Sequence, residues 1–230
     1  MSGIVRDVQE MLHEQWEYRE LLTQMTLRDL VVRYKQSVMG FGWAVFMPLL
    51  NTLIFSVVFT RVTTIETSTP YPVFAYTGLL FWNYFASSLR FAANSLASNA
   101  TLVQKIYFPR EIFPFSAILV CLVDLAVGAS VLVLLMIYYR IIGASVLVLL
   151  MIYYRIAITP AILLLPVLLL IQTILTAGIS LVLAMANLFL RDVKYLLEMV
   201  LSLWMFATSV VYPMDQVGGT LGTILKLNPM

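Results

Sequence analysis

The chain has 230 residues, of which 61% are hydrophobic and 11% charged, and its formal net charge at pH 7 is +2. A soluble domain uses roughly 25% charged residues to cover its surface. The composition therefore excludes an ordinary water-soluble protein and predicts that lipid is the solvent for much of the chain, while the small net charge gives no indication of nucleic-acid binding.

The N-terminal segment, residues 1–42, is polar and lacks the apolar core of a cleavable signal peptide. Apolar residues recur at helical spacing between residues 8 and 36, which predicts one or two amphipathic helices. Such a helix lies in the membrane interface or packs on a partner. An ordinary solvated helix leading into the first membrane span is the alternative that the pattern leaves open.

Five apolar segments follow, each close to the about 20 residues that a helix needs to cross a bilayer. They occupy residues 43–60, 73–95, 112–138, 158–183 and 195–212. We therefore predict an all-α protein in which residues 43–213 form a polytopic transmembrane helical bundle. Proline inside such spans is tolerated because neighbouring helices can satisfy the freed carbonyl groups.

The orientation is predicted from basic residues in the short connections. The N-terminal segment and the connections at 97–111 and 191–194 together carry nine lysines and arginines, whereas the opposite connections carry four. Because basic residues concentrate on the cytoplasmic side, we expect a cytoplasmic N-terminus.

Two features disturb this scheme. Residues 128–141 (GASVLVLLMIYYRI) recur unchanged as residues 143–156, which indicates either a recent duplication or a sequence error. The second copy is too short to cross a bilayer alone, so we expect the extra residues to extend a helix, to form a re-entrant turn or to be absent from the natural protein. With five spans, residues 214–230 form an external glycine-rich loop, and we expect the chain to be truncated before a sixth span.

Signatures of catalysis and of metal or cofactor binding are missing from the sequence. There is no GxxxxGK[ST] loop to hold nucleotide phosphates, no cluster of Cys and His with metal-ligand spacing, and only one histidine, His13, in the polar N-terminal segment. We expect a protein that is not an enzyme, without catalytic residues, a metal site or a cofactor of its own.

Arg90 and Asp124 are charged residues that fall inside predicted spans. Asp124 lies about 18 Å into the third span at 1.5 Å per residue, and Arg90 lies near the cytoplasmic end of the second. Because buried charges in lipid are costly and usually pair, an Arg90–Asp124 ion pair is one interpretation. The other is that Arg90 reaches the headgroups while Asp124 is protonated or bonded to the backbone.

Aromatic residues are concentrated in the second and fifth spans. The candidates for lining a path for sugars are Tyr76, Trp82, Tyr84, Phe85 and Trp204. Flat rings with polar edges suit the apolar faces and hydroxyl groups of a glycan. Composition alone favours the alternative of an interfacial aromatic belt with ordinary packing.

Three stretches resemble a known family when taken together. They are residues 28–40 (RDLVVRYKQSVMG, running into Trp43 and Pro48), 102–111 (LVQKIYFPRE) and 187–193 (NLFLRDV). In order and spacing they are similar to the membrane subunits of ATP-binding-cassette polysaccharide exporters, which carry O-antigen, capsule or teichoic acid. The resemblance covers nearly the whole chain.

The resemblance implies a homodimer of permease chains in a bacterial inner membrane. The homodimer moves a lipid-linked glycan and is docked on two ATPase subunits that bind ATP and magnesium. It makes the second stretch the ATPase contact, with Lys105, Tyr107, Phe108 and Arg110 as candidates. It also places the first stretch in an interfacial helix where the substrate comes in; the residues are Arg28, Arg33, Tyr34 and Lys35. The family expects a sixth span and a short external loop after the third, and this chain departs from both patterns.

Two other functions remain alternatives. The same architecture could export a lipid or a drug, which predicts a tight apolar cavity in place of an aromatic-lined channel. A structural subunit of a membrane complex would have no substrate path at all.

Overall fold

A computed structural model describes residues 13–14, 16–35, 39–40, 42–61, 71–105, 109–138, 161–208, 210 and 212. Within these ranges the regular structure is entirely helical, which confirms the predicted all-α class. The helices are α1 (Arg19–Lys35), α2 (Gly42–Arg61), α3 (Tyr71–Ser98), α4 (Ala100–Lys105), α5 (Ile112–Tyr138), α6 (Ala161–Phe189) and α7 (Val193–Ala207).

Three of the helices are long and apolar enough to cross a membrane, at Gly42–Phe59, Ile112–Leu135 and Leu164–Phe189. They coincide with the first, third and fourth predicted spans. The second and fifth predicted spans correspond to α3 and α7, which do not meet the same criteria among the described residues. The reason is composition for α3, which carries Arg90 and many small polar residues, and length for α7, which has 15 residues.

The chain divides into two compact units. The first unit comprises Met1–Gly40, Ala86–Val123 and Leu175–Glu198, and the second comprises Phe41–Phe85, Asp124–Ile174 and Met199–Met230. The boundaries between them fall inside helices α3, α5, α6 and α7, so each of these helices contributes residues to both units.

The first unit is organised around an apolar cluster. Leu96 of α3, Phe113 of α5 and Ala184 of α6 are buried at its centre. Partly buried side chains from other elements pack around them; these are Met25, Leu102, Val103 and Leu188. One cluster therefore holds α1, the short α4 and the adjoining ends of three long helices.

The second unit shows the close backbone approach that membrane helices use in place of a hydrophobic driving force. A Cβ atom added at Gly78 would lie 2.4 Å from the carbonyl oxygen of Val210, and one at Gly128 would lie 2.5 Å from Cδ1 of Leu80. The hydroxyl of Tyr76 donates to the carbonyl oxygen of Gly128 at 3.0 Å. Glycine thus lets α3 pack tightly on α5 and on the segment after α7.

Two predictions from the sequence fall wholly or largely outside the described residues. The second copy of the repeat, residues 143–156, lies outside them, as does the glycine-rich segment at 214–230. The first copy begins within α5, at Gly128. The predicted division of the chain at residues 42 and 213 stays a prediction.

Candidate transport site and coupling surface

The five candidate path residues all belong to the second unit, and four of them are buried. Phe85 lies at the centre, with its ring centroid 5.8 Å from that of Trp82 and 5.2 Å from that of Trp204, the latter in an edge-to-face arrangement. The exposed fractions of Tyr76, Trp82, Tyr84 and Phe85 are 5% or less. In this conformation the rings contact protein, so a role in lining a path stays a prediction that requires the helices to move apart.

Polar side chains join α3 to α6 beside these rings. The hydroxyls of Tyr84 and Thr173 lie 3.0 Å apart, and Gln172 donates from Nε2 to the carbonyl oxygen of Phe81 at 2.9 Å. Residue numbers rise in the same direction along both helices, which therefore run parallel in the second unit. Hydrogen bonds of this kind fix the register of helices in lipid, where dispersion alone would allow sliding.

In the first unit, Asn187 of α6 makes the corresponding bond. Its Nδ2 donates to the carbonyl oxygen of Ala93 at 3.0 Å, and the side chain is buried. A carbonyl group inside a helix already accepts a bond from its own ladder, so this second acceptor role ties α6 to α3 without breaking either helix.

A cluster of four polar side chains, here named the polar junction, lies where α1 meets the ends of α3 and α5. Arg28 donates from Nε and Nη2 to Oδ1 of Asp29 at 2.9 and 2.8 Å, and Nη2 also donates to Oδ1 of Asn99 at 3.1 Å. Oδ2 of Asp29 lies 3.2 Å from the hydroxyl of Ser116, whose single hydrogen is shared with the carbonyl oxygen of Phe113 at 3.0 Å. Arg28, predicted at the interface, is therefore a connecting residue.

The other predicted interfacial residues line the end of α1. The guanidinium carbon of Arg33 lies 4.0 Å from the ring centroid of Phe91, which is a cation–π contact with α3. Tyr34 is half-buried and Lys35 is exposed. Exposed apolar side chains accompany them on α1 and just before it; these are Trp16, Leu27, Val31 and Val32. The placement of α1 at a membrane interface stays a prediction.

The candidate ATPase contacts lie on and after α4. Arg110 is exposed at the turn before α5, and Lys105 is the last residue of α4. Tyr107 and Phe108 lie outside the described residues. The turn that opens α4 starts at Asn99, whose carbonyl oxygen accepts from the amides of Leu102 and Val103.

The ion partner that the structure gives Arg90 is Glu198. The Nε of Arg90 lies 2.9 Å from both carboxylate oxygens of Glu198. A pair with Asp124 is one of the two interpretations that the sequence leaves open. Depth explains the difference, because Arg90 lies about 12 Å from the end of α3 and Glu198 about 8 Å into α7, whereas Asp124 lies about 18 Å into α5. A pair between Arg90 and Asp124 stays an untested prediction.

Sequence reasoning missed several connecting residues. Glu198 lay in a predicted span without being recognised as a charge, and Asn99, Ser116 and Thr173 were not singled out. Polar residues inside or at the ends of apolar helices were the signal that could have found them. Among the described residues, no three His, Cys, Asp or Glu side chains come together as a metal site would require.

Comparison with known proteins assigns this arrangement to a family. Residues 20–230 match the family described as ABC-2 type transporter. The O-antigen export system permease protein RfbA of Myxococcus xanthus is 30% identical over 223 residues, which cover 96% of this chain and 79% of that protein.

Two permeases of Klebsiella pneumoniae, also O-antigen export system permease proteins RfbA, give the same result. One is 30% identical over 214 residues and the other 29% identical over 211, covering 92% of this chain and 76% of each relative. The family match and the near-complete coverage agree with the helical fold. The chain belongs to the ABC-2 type transporter family, as a multi-pass membrane component that serves transport.

Proposed function

We propose that this chain is the permease subunit of a bacterial exporter that moves a lipid-linked polysaccharide of the O-antigen class across the inner membrane. The observation that carries the proposal is the 30% identity to O-antigen export permeases over nearly the whole chain. Capsule and teichoic acid are related cargoes in which a glycan is likewise carried on a lipid.

The energy comes from a separate ATPase subunit in this proposal. ATP and magnesium bind to that partner, and two copies of it dock on a homodimer of this chain. The exposed Arg110 and the end of α4 supply the contact. They lie in the connection between α3 and α5, so a displacement caused by the ATPase would reach both helices.

The charged segments support a cytoplasmic N-terminus. The apolar cluster brings Met25 of α1 together with Leu102 of α4 and Leu188 of α6. These residues belong to or adjoin the three segments that carry nine of the basic residues. Basic residues gathered on one side mark the cytoplasmic face of a membrane protein.

Substrate comes in beside α1 in this proposal. Its exposed apolar residues suit the boundary between headgroups and acyl chains, and Arg33 and Lys35 suit the phosphate groups found there. ATP closes the partner subunits, the α4 connection moves with them, and the aromatic rings of the second unit separate to line a path for the glycan.

The test is complementation. A Klebsiella strain that lacks both its RfbA permease and the ATPase of that exporter is given this chain together with its cognate ATPase subunit, and surface O-antigen is measured by immunoblot. We expect O-antigen at the surface only when both chains are present. The chain without the ATPase is the matched control.

Each other outcome argues against the proposal. Intracellular lipid-linked O-antigen that accumulates despite both proteins in the membrane would exclude this substrate class. Export of a fluorescent lipid or drug without export of glycan would favour the lipid exporter. Membrane assembly with neither activity would favour a structural subunit.

A further inference from the structure

The polar junction joins three elements that are separate in the sequence. Arg28 and Asp29 are neighbours on α1, Asn99 stands between α3 and α4, and Ser116 lies in the first turns of α5. Arg28 and Asn99 are 71 residues apart, and Asp29 and Ser116 are 87 apart. Their contacts therefore depend on tertiary packing and hold α1 against the connection that carries α4.

Each member of the junction has a distinct role in these contacts. Asp29 uses one carboxylate oxygen for Arg28 and the other for Ser116. Arg28 uses the single nitrogen Nη2 for both Asp29 and Asn99. Charge-assisted hydrogen bonds from a planar guanidinium are stronger and more directional than neutral ones. The junction is thus a sequence of bonds from α5 through α1 to Asn99.

Asn99 is the point at which this sequence reaches α4. Its Nδ2 donates to the carbonyl oxygen of Ser95 at 2.9 Å, which anchors it to the end of α3. Its own carbonyl oxygen accepts the amides of Leu102 and Val103 at 2.9 and 3.1 Å, which starts the turns of α4. The side chain and the backbone of one residue therefore connect α1, α3 and α4.

The apolar cluster supports the same elements from the inside. Met25 lies one helical turn before Asp29 on α1 and packs in the cluster with Leu102 and Val103 of α4. Interiors packed in this way transmit displacement because they are not freely deformable. The polar junction and the cluster hold α1 and α4 as one body with two kinds of contact.

We propose that the polar junction couples α4 to α1, so that a displacement of α4 moves α1 with it. This inference rests on the proposed function, in which the ATPase displaces α4 and the substrate comes in beside α1. Arg28, Asp29 and Asn99 are positioning residues in this device: they touch neither ATP nor the glycan. Substitution of these residues leaves ATP hydrolysis intact and uncouples it from export.

The experiment uses the complete transporter, permease with ATPase, in proteoliposomes, and measures ATP hydrolysed per glycan exported. We expect Asn99→Ala to raise this ratio about fivefold, the lower range of typical coupling between sites, with little change in the rate of hydrolysis. Arg28→Ala combined with Asn99→Ala should resemble either single variant, since both break one connection.

Thr23→Ala is the matched control. The hydroxyl of Thr23 lies on the same helix and donates only to the carbonyl oxygen of Arg19 within α1, so the ratio should stay at the wild-type value. Equal losses of hydrolysis and export in Asn99→Ala would show a merely structural role and overturn the inference. Multiplying effects in the double variant would also overturn it.

A second experiment measures the distance between α1 and α4. Spin labels at Gln24 on α1 and Thr101 on α4, both exposed, should give one narrow distance that stays constant when nucleotide binds. The distance should broaden in Asn99→Ala. A wild-type distance that changes with nucleotide would overturn the inference, while a wild-type transporter that exports no glycan would contradict the proposed function instead.

Discussion

Arg90 on α3 donates from Nε to both carboxylate oxygens of Glu198 on α7, at 2.9 Å each. The two side chains are 39% and 55% exposed within the chain. The ion pair therefore joins α3 and α7, the second and fifth predicted spans, toward the end of α3 and the start of α7. At that depth long charged side chains can still reach the headgroups.

The Arg90–Glu198 pair predicts a rescue by exchange of charges. Arg90→Glu or Glu198→Arg alone should lower stability by about 1 kcal/mol, since partly exposed pairs are weak, and the double exchange should recover most of that loss. Thermal unfolding in detergent measures it. Combining Arg90→Ala with Asp124→Asn serves as the control: effects that add would leave Glu198 as the partner, and strong coupling would favour Asp124.

Replacing glycine by alanine should have opposite effects on stability at two positions. Gly78→Ala should destabilise the protein by about 1–3 kcal/mol, the usual cost of overpacking, because its Cβ would meet the backbone oxygen of Val210, which cannot rotate away. Gly178→Ala meets nothing within 4 Å and should stabilise α6 by about 1 kcal/mol through helix propensity. Melting temperatures that shift in the same direction would contradict the packing described for α3.

Large and small substitutions of the buried rings test different properties of the protein. Trp82→Ala should cost about 3–5 kcal/mol as a cavity in the core, and export should fall along with the amount of folded protein. Tyr84→Phe removes the hydroxyl that bonds Thr173 and should cost about 0.6 kcal/mol, the average for such bonds between membrane helices.

Export should therefore survive Tyr84→Phe, with fluorescence-detected chromatography confirming normal folding. A loss of export at unchanged stability would mean that the hydroxyl itself contacts the substrate. That outcome would support the predicted path at Tyr84 more directly than an alanine substitution can.

The repeat predicts that one copy is dispensable for orientation. Deleting residues 142–156 should leave the connection at Leu190 on the same side of the membrane, because α3 and α6 run parallel and α5 supplies the single crossing needed between them. The measurement is labelling of Leu190→Cys by a membrane-impermeant reagent in a Cys121→Ser background. Labelling from the opposite side after the deletion would show that the orientation of α6 depends on the repeat.

The sequence predicted the helices better than it predicted their surroundings. Spans such as 112–138 stand out because about 20 apolar residues in succession have few stable states other than a helix in lipid. The start of α3 at Tyr71 and the end of α7 at Ala207 differ from the predicted bounds. Short polar connections and helix ends depend on neighbours that composition does not describe.

The candidate site was likewise predicted only in part from the sequence. The aromatic residues were identified from composition, but the burial of Phe85 against Trp204 was not, because periodicity alone cannot tell a ring facing a lumen from one facing another helix. Arg90 was recognised as a charge in need of a partner. Its pairing with Glu198 required the depths of α3 and α7, which only the fold supplies.

The amino-acid sequence by itself determined that this protein is helical and lives in lipid, since hydrophobicity and chain length act locally and need no knowledge of contacts. It also supplied the three stretches whose resemblance agreed with the family. The tertiary structure decided which polar groups meet. Arg28 finds Asn99 across 71 residues of chain, and such a contact depends on the packing of helices that the local sequence does not encode.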